Sequence, residues 1–127
     1  MNLQLSLKAK WFEMTKKGIK TEDYREINNY WAKRLLLIKF TGCDGEKLTD
    51  SELYSVITHN LDILQLHING FRHFKTNKMT LGYPKSTDTE RILKLEHKGI
   101  EIRTGNTEWG AEPGKLYFVI KHGNFKN

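Results

Sequence analysis

The residues most capable of chemistry cluster between Gly18 and Arg25, where a glycine is followed by Lys20, Asp23 and Arg25. In an extended segment, side chains two positions apart share a face, so we expect Asp23 and Arg25 to point together. A guanidinium fork beside a carboxylate can hold a planar amide-bearing base or a phosphate through paired hydrogen bonds, and a nearby lysine adds a mobile charge. The alternative interpretation is a solvated ion pair at the start of a strand.

The three tryptophans divide into two groups by their sequence context. Trp11 and Trp31 fall on predicted helix faces among apolar residues, which favours core packing. Trp109 lies in a turn rich in glycine and proline, so it is a candidate to stack on a base, and plugging one end of a barrel is the alternative role. Arg72 follows the Asn69-Gly70 turn and is a candidate for phosphate contacts.

The spacing of histidine and cysteine excludes several common chemistries. The five histidines form no i, i+4 pair and no H-E-x-x-H motif, and the single cysteine leaves no cysteine-pair site, so we expect no metal and no other cofactor. The chain has neither a G-x-S-x-G elbow nor a G-x-x-x-x-G-K-[ST] loop. Cys43 lies beside an acidic residue, which disfavours a thiolate, and we interpret it as an inert thiol.

Strands and short helices must position these residues. Leucines alternate with polar residues over 2–7, which predicts a half-buried strand, and a helical pattern over 9–17 ends at Gly18. A second helix is predicted where apolar residues 27, 30, 31 and 35 share one face. Further strands are predicted at residues 36–40, 63–68, 78–83, 92–102 (interrupted by a turn at 97–99) and 116–121. This mixture predicts a small barrel-like α+β fold with two short N-terminal helices.

The segment 43–60 is predicted to be a surface insertion. It belongs to an acidic stretch, because residues 40–63 carry one basic and five acidic side chains, whereas residues 8–39 carry nine and four and residues 64–127 carry eleven and six. A capping pattern at Thr49 precedes a short helix. We expect the insertion to be packed only by the apolar stripe of Leu53, Val56 and Ile57.

The 127 residues fit one domain, 1–127. A formal charge of +6 and a pI near 9.4 lean towards phosphate-bearing partners, although such a charge also suits solubility alone. The longest purely apolar run, residues 35–38, is far shorter than the roughly 20 residues of a membrane span, and the N-terminus lacks the pattern of a secretory signal. We expect a soluble, cytoplasmic protein with no membrane partner, and its oligomeric state stays open.

The motif of the first cluster is G-x-K-x-x-E-x-R, with Asp23 in place of the usual glutamate. By this motif the chain resembles the ASCH (activating signal cointegrator homology) domains, small relatives of the PUA RNA-binding barrel, and in particular their small bacterial and phage-borne members. The segments around the motif, Leu5–Lys8, Trp11-Phe12 and Tyr24–Ile27, are also similar to these members. Further along the chain, the similarity extends to Asn69-Gly70-Phe71, Asn106–Gly114 and Tyr117–Ile120. It covers nearly the whole chain, apart from the acidic insertion.

The resemblance implies a PUA-like β-barrel whose cleft, at the motif, binds RNA or a nucleotide-like ligand such as a modified nucleoside. Together with the candidates above, it defines the expected ligand-binding residues as Gly18, Lys20, Asp23, Arg25, Asn69, Arg72 and Trp109.

Hydrolysis of the same class of ligand is the alternative function. Some small ASCH proteins are amidohydrolases that remove the acetyl group of N4-acetylcytidine with the motif lysine, a threonine and a distant glutamate. Asp23 occupies the threonine position and has no hydroxyl to act as nucleophile, and the candidates for the glutamate are Glu90, Glu96 and Glu108. In an amidohydrolase or a ribonuclease, Lys20 would act as base or electrophilic helper and Asp23 as proton acceptor. A second alternative is a protein-interaction module that uses its acidic insertion.

Overall fold

The computed structural model of the protein describes residues 1–61 and 70–126. Within them, the strands are β1 (Asn2–Leu7), β2 (Glu22–Arg25), β3 (Thr76–Leu81), β4 (Ile92–Thr104) and β5 (Leu116–Phe125). The α-helices of the same residues are α1 (Ala9–Lys16), α2 (Asn29–Leu35) and α3 (Asp50–Thr58), and single 3-10 turns cover Thr89–Arg91 and Thr107–Trp109. The predicted strand at 63–68 and the candidate Asn69 lie outside the described residues.

The five strands form one mixed sheet in the order β1-β3-β4-β5-β2. Strands β1 and β3 run parallel, and the other neighbours are antiparallel. The sheet curls into a half-barrel, and a hydrogen bond of 2.9 Å from Arg25 Nη2 to the backbone oxygen of Ser6 joins its two edge strands. The predicted α+β class and the barrel-like shape are confirmed at this level.

Local sequence accounts for the first two elements. The alternating Leu3, Leu5 and Leu7 of β1 are all buried, as the period of two predicts. Helix α1 ends where Gly18 adopts a positive φ of 77°, a conformation that favours glycine, so the predicted stop signal is confirmed. The chain then turns sharply into β2.

Caps start the other two helices. The Asn28 side chain accepts a hydrogen bond of 2.9 Å from the backbone N–H of Trp31 at the start of α2. Thr49 and Glu52 form a reciprocal capping box at the start of α3, in agreement with the capping pattern in the sequence. Each cap satisfies backbone donors that the first helical turn leaves unpaired.

Helix α3 packs into the main hydrophobic core. Leu48, Leu53 and Ile57 join the same buried cluster as the β1 leucines and Phe118 of β5. The helix predicted within 43–60 is therefore present, but its packing differs from the expectation, because Leu48 also contributes and the cluster is shared with the sheet. Residues 43–47 are exposed, and the description of 43–60 as an insertion stays a prediction.

Two local predictions about strands are wrong. Residues 36–40 contain no strand, because Leu36 makes only an isolated bridge to Phe71. The expected turn at 97–99 is instead an irregularity inside one continuous strand β4, where the pairing register with β5 shifts on both sides of His97. Gly99 has a φ of 113° at this point, so the glycine marks a bulge and not the end of a strand.

The core role of α3 predicts that Ile57→Ala lowers the free energy of unfolding by about 2 to 4 kcal/mol, because it opens a cavity at a fully buried position. Urea unfolding followed by circular dichroism measures the change. The control is Ser51→Ala at an exposed position of the same helix, for which we expect a change within about 0.5 kcal/mol. Equal effects of the two substitutions would show that α3 is peripheral.

Candidate functional site

Three charged side chains, two of them buried, form a cluster at the start of β2. Lys20 and Asp23 are 3% and 4% exposed. The Lys20 Nζ donates hydrogen bonds to Asp23 Oδ1 at 3.0 Å and to the backbone oxygen of Glu22 at 2.7 Å. Arg25 Nε lies 2.5 Å from Asp23 Oδ2, so one carboxylate is shared by two cations. Of the two interpretations of the motif, the solvated surface pair is wrong.

The strand register explains how these side chains converge. Asp23 pairs with Ile120 and Arg25 with Phe118, and both β5 residues belong to the main core, so the inner face of the half-barrel receives Asp23 and Arg25 together, as predicted. Tyr24 points the other way and packs on Tyr117, with ring centroids 5.8 Å apart.

The charges around Asp23 keep it ionised. Burial by itself would raise the pKa of this carboxyl, but the charges and hydrogen bonds of Arg25 and Lys20 outweigh burial and hold the pKa below its usual value. A carboxylate of this kind accepts hydrogen bonds well and takes up a proton poorly, so the site favours Asp23 as a fixed acceptor over a general base.

The contacts of Arg25 seen here are with the protein itself. Besides Asp23 and Ser6, its guanidinium lies 4.9 Å from the ring centroid of Trp31 on α2. It is not among the residues that line the adjacent cavity. The guanidinium therefore supports the carboxylate from behind, and the expected grip of Arg25 on a ligand is not the contact seen here.

A cleft of about 200 Å³ opens above the buried charges. Its aromatic residues are Trp11, Tyr24, Trp109 and Tyr117, its charged residues are Lys20, Asp23, Glu26 and Glu112, and Gly110 completes the lining. Three of the four charged side chains are carboxylates. The cleft thus offers aromatic surface and hydrogen-bond acceptors, a combination that suits a flat ligand with N–H donors better than a phosphate.

Gly110 lets the loop of Trp109 approach helix α1. A Cβ atom built on this glycine would lie 2.9 Å from Cζ2 of Trp11, and its φ of 98° also favours glycine. The contact places Trp11 and Trp109 beside the same cleft. Trp109 therefore has a position that suits the predicted stacking on a base. Trp11 packs against the core and also lines the cleft.

The phenol of Tyr24 positions the Trp109 loop. Its hydroxyl accepts a hydrogen bond of 2.8 Å from the backbone N–H of Asn106 and donates one of 2.7 Å to Glu22. Burial, together with the neighbouring Glu22 carboxylate, raises the pKa of Tyr24 to about 12, so the hydroxyl stays protonated near neutrality. Arg103 in turn binds Glu22 through two hydrogen bonds of 2.7 and 2.9 Å.

Two carboxylates of the cleft, Glu26 and Glu112, were not predicted from the sequence. Glu26 pairs with Lys115 at 2.7 Å, and Glu112 is 72% exposed with Lys115 3.9 Å away. Glu112 lies three positions after Trp109, and this proximity in the sequence could have marked it as a candidate. The three glutamates considered from the sequence, Glu90, Glu96 and Glu108, are not among the cleft residues.

His122 is a second residue that sequence reasoning missed. Burial lowers the pKa of its ring to about 4, and the nearby charges of Asp23 and Lys20 act on it in opposite directions. The Nδ1 of His122 lies 2.7 Å from Nδ2 of the fully buried Asn77, whose Oδ1 lies 2.8 Å from Nδ1 of His97. A chain of polar contacts therefore leads from His122 of β5 through Asn77 of β3 to His97 of β4.

Two further candidates, Gly18 and Arg72, do not line the cleft. Gly18 is exposed at the end of α1. Arg72 contacts α2, where its Nη2 lies 3.4 Å from the backbone oxygen of Lys33.

In the described parts of the chain, no group of three His, Cys, Asp or Glu side chains is placed to hold a metal ion. None of the helices described above has the length and apolar character needed to cross a membrane.

Comparison with known proteins finds no matching family model, no similar curated protein and no similar solved structure. The ASCH relationship therefore stays a prediction from the motif.

The shared carboxylate predicts that Asp23→Asn lowers the free energy of unfolding at pH 7 by about 3 kcal/mol or more, because two cations lose their common partner and Lys20 is buried. The pKa of Asp23 is lower in the folded than in the unfolded chain, so its stabilisation is complete above the unfolded pKa of about 3.9 and is lost as pH falls through the folded pKa.

Urea titrations of the wild type and Asp23→Asn between pH 7 and pH 2 test this expectation. The difference between the two proteins should shrink below about pH 4. The control Glu13→Gln, at an exposed position of α1, should give no such difference. A difference for Asp23→Asn that does not depend on pH would contradict a stabilising charge on Asp23.

The close approach at Gly110 predicts that Gly110→Ala is more destabilising than Gly114→Ala. Both glycines have positive φ, so the backbone strain is similar, but a Cβ at 114 meets no atom within 4 Å. The extra loss reports the contact with Trp11, and we expect about 1 to 3 kcal/mol in urea unfolding. The same loss for both substitutions would mean that the loop can move away from α1 without cost.

Proposed function

We propose that the protein is an ASCH-type, PUA-like domain that binds one base of an RNA, or a modified nucleoside, in the cleft. The observation that carries the proposal is the position of Trp11 and Trp109 beside one cleft, above the buried Lys20–Asp23 pair. Exposed aromatic side chains stack on unpaired bases, and polar groups beneath them can bind base edges. A cytoplasmic location would agree with such a ligand.

The size of the cleft supports a single base. Its volume of about 200 Å³ is below the roughly 300 to 1,000 Å³ of sites that hold drug-sized ligands.

The hydrogen-bonding groups of the cleft support a ligand with both N–H donors and a carbonyl. An ammonium group has three donors, and Lys20 uses two of them on Asp23 and Glu22, so one is left for an oxygen of the ligand. The carboxylates of Glu26 and Glu112 can accept from ring or exocyclic N–H groups. Cytosine and its N4-acylated form carry this combination.

The charged cluster favours binding over hydrolysis. Asp23 is held ionised by two cations, and Lys20 already donates to two acceptors, so neither group is poised to take a proton from water. The hydroxyl nucleophile that the resemblance leads one to expect is missing at position 23. Hydrolysis is therefore an outcome that the binding experiment must also measure.

Titration of the protein with cytidine, N4-acetylcytidine and uridine tests the proposal, with calorimetry as the readout. We expect Trp109→Ala to weaken nucleoside binding about ten- to a hundredfold, in line with the loss of one base–aromatic stack. We expect Lys20→Met to weaken it as well. The control Tyr83→Ala removes an aromatic side chain that is 95% exposed and does not line the cleft, so it should leave the affinity unchanged.

Two results would overturn the proposal. Equal affinities for the wild type and Trp109→Ala would remove the cleft as the binding site. Liquid chromatography would detect conversion of N4-acetylcytidine to cytidine. If the wild type converts it and Lys20→Met does not, the function is hydrolysis.

A further inference from the structure

The cleft does not account for the phosphates of an RNA ligand. Its charged residues include three carboxylates and one lysine, and that lysine is paired with Asp23. The guanidinium of Arg25 binds Asp23 and Ser6 and does not line the cleft. Other cations must therefore meet the backbone if the ligand is an oligonucleotide.

A basic and aromatic surface lies on α2, the helix that Arg25 contacts. Tyr30 is 55% exposed, and the guanidinium of Arg34 lies 3.6 Å from the centroid of its ring. Tyr30 meets Trp31 edge to face at 5.1 Å, and Trp31 lies under Arg25. A continuous series of contacts thus leads from Arg25, which binds Asp23, to the exposed Arg34.

Three cations gather at the end of this helix. Lys33 and Arg34 belong to its last turn, and Arg72 is attached to it by hydrogen bonds to the backbone oxygens of Lys33 and Leu35. We call Tyr30, Lys33, Arg34 and Arg72 the α2 surface.

The cations of the α2 surface differ from several others in the protein. No carboxylate among residues 1–61 and 70–126 forms an ion pair with Lys33, Arg34 or Arg72. Arg103, Lys115 and Lys121, in contrast, each bind glutamates. Three adjacent positive charges that lack such partners within the described residues match the charge of a phosphate backbone.

We propose that the α2 surface binds the backbone of a single-stranded RNA, one base of which occupies the cleft. The inference rests on the proposed function and extends it, because it makes the ligand an oligonucleotide and assigns the phosphate contacts to Lys33, Arg34 and Arg72. The outer face of the Arg34 guanidinium, stacked on Tyr30, is a platform for a neighbouring base.

The chain geometry limits the distance between the α2 surface and the cleft. Glu26 lines the cleft, and α2 begins three residues later at Asn29. Three residues span at most about 11 Å, and the five residues from Asn29 to Arg34 rise about 8 Å along the helix. The backbones of Glu26 and Arg34 are thus no more than about 20 Å apart, a separation that a few nucleotides can bridge.

The test uses a triple variant, Lys33→Gln, Arg34→Gln and Arg72→Gln, in the full chain. Fluorescence anisotropy measures its affinity for a fluorescein-labelled single-stranded RNA of about ten nucleotides, at salt concentrations from about 50 to 300 mM. We expect the slope of log affinity against log salt to become shallower by about 2, since each lost phosphate contact removes about 0.7 for a single strand. Binding of free cytidine or N4-acetylcytidine should not change.

A matched control separates a specific surface from net charge. The triple variant Lys78→Gln, Lys85→Gln and Lys94→Gln removes the same charge from other positions and should leave the RNA slope unchanged. An equal decrease in both triple variants would overturn the inference, as would an unchanged slope in the α2 variant. Equal weakening of binding to poly-glutamate and to RNA in the α2 variant would also overturn it, in favour of an acidic protein partner.

A conservative variant guards against loss of folding. The variant Lys33→Arg, Arg34→Lys and Arg72→Lys replaces each lysine with arginine and each arginine with lysine. It keeps the three positive charges, so its salt slope should equal that of the wild type. If Trp109→Ala leaves nucleoside binding intact, the proposed function fails. If Trp109→Ala acts as expected while the α2 variant keeps the full salt slope, only this inference fails.

Discussion

The rest of the site depends on one buried carboxylate that two cations share. Asp23 lies between Lys20 and Arg25, at 3.0 and 2.5 Å, on the inner face of the half-barrel. Ions removed from water lose solvation, and only close, well-directed partners compensate for that loss. The carboxylate therefore requires both cations to stay in place. Lys20 follows the end of α1, and Arg25 contacts Trp31 near the start of α2.

Arg25 connects the buried carboxylate to two other elements of the fold. Its guanidinium holds Asp23, donates to Ser6 on the opposite edge strand and lies on the ring of Trp31. A planar guanidinium carries five donors in a fixed fork, so it can bind a carboxylate and a carbonyl in set directions while its face lies on an aromatic ring. The residue that the motif marks as a ligand grip is here a support that connects β1, β2 and α2.

The arrangement separates two kinds of surface. The cleft contains aromatic rings and carboxylates, which suit the edge and face of a base, whereas α2 presents cations without carboxylate partners in the described residues. The positive net charge of the chain is thus not concentrated in the cleft. A ligand that carries bases and phosphates together could use both surfaces, because each meets the chemistry that it recognises.

The sequence by itself determined the features that depend on near neighbours. The alternation of β1, the stop at Gly18, the capping box at Thr49 and the common face of Asp23 and Arg25 all follow from residues within a few positions of one another. The cleft could not be predicted in this way. Trp11 meets Gly110, Arg25 meets Ser6, and Glu112 joins Lys20 only because the sheet curls and brings distant segments together. Likewise, the burial of α3 was decided by packing against the core, because burial of apolar surface can override a local pattern typical of a surface helix. The bulge in β4 was decided by pairing with β5, which continues on both sides of His97.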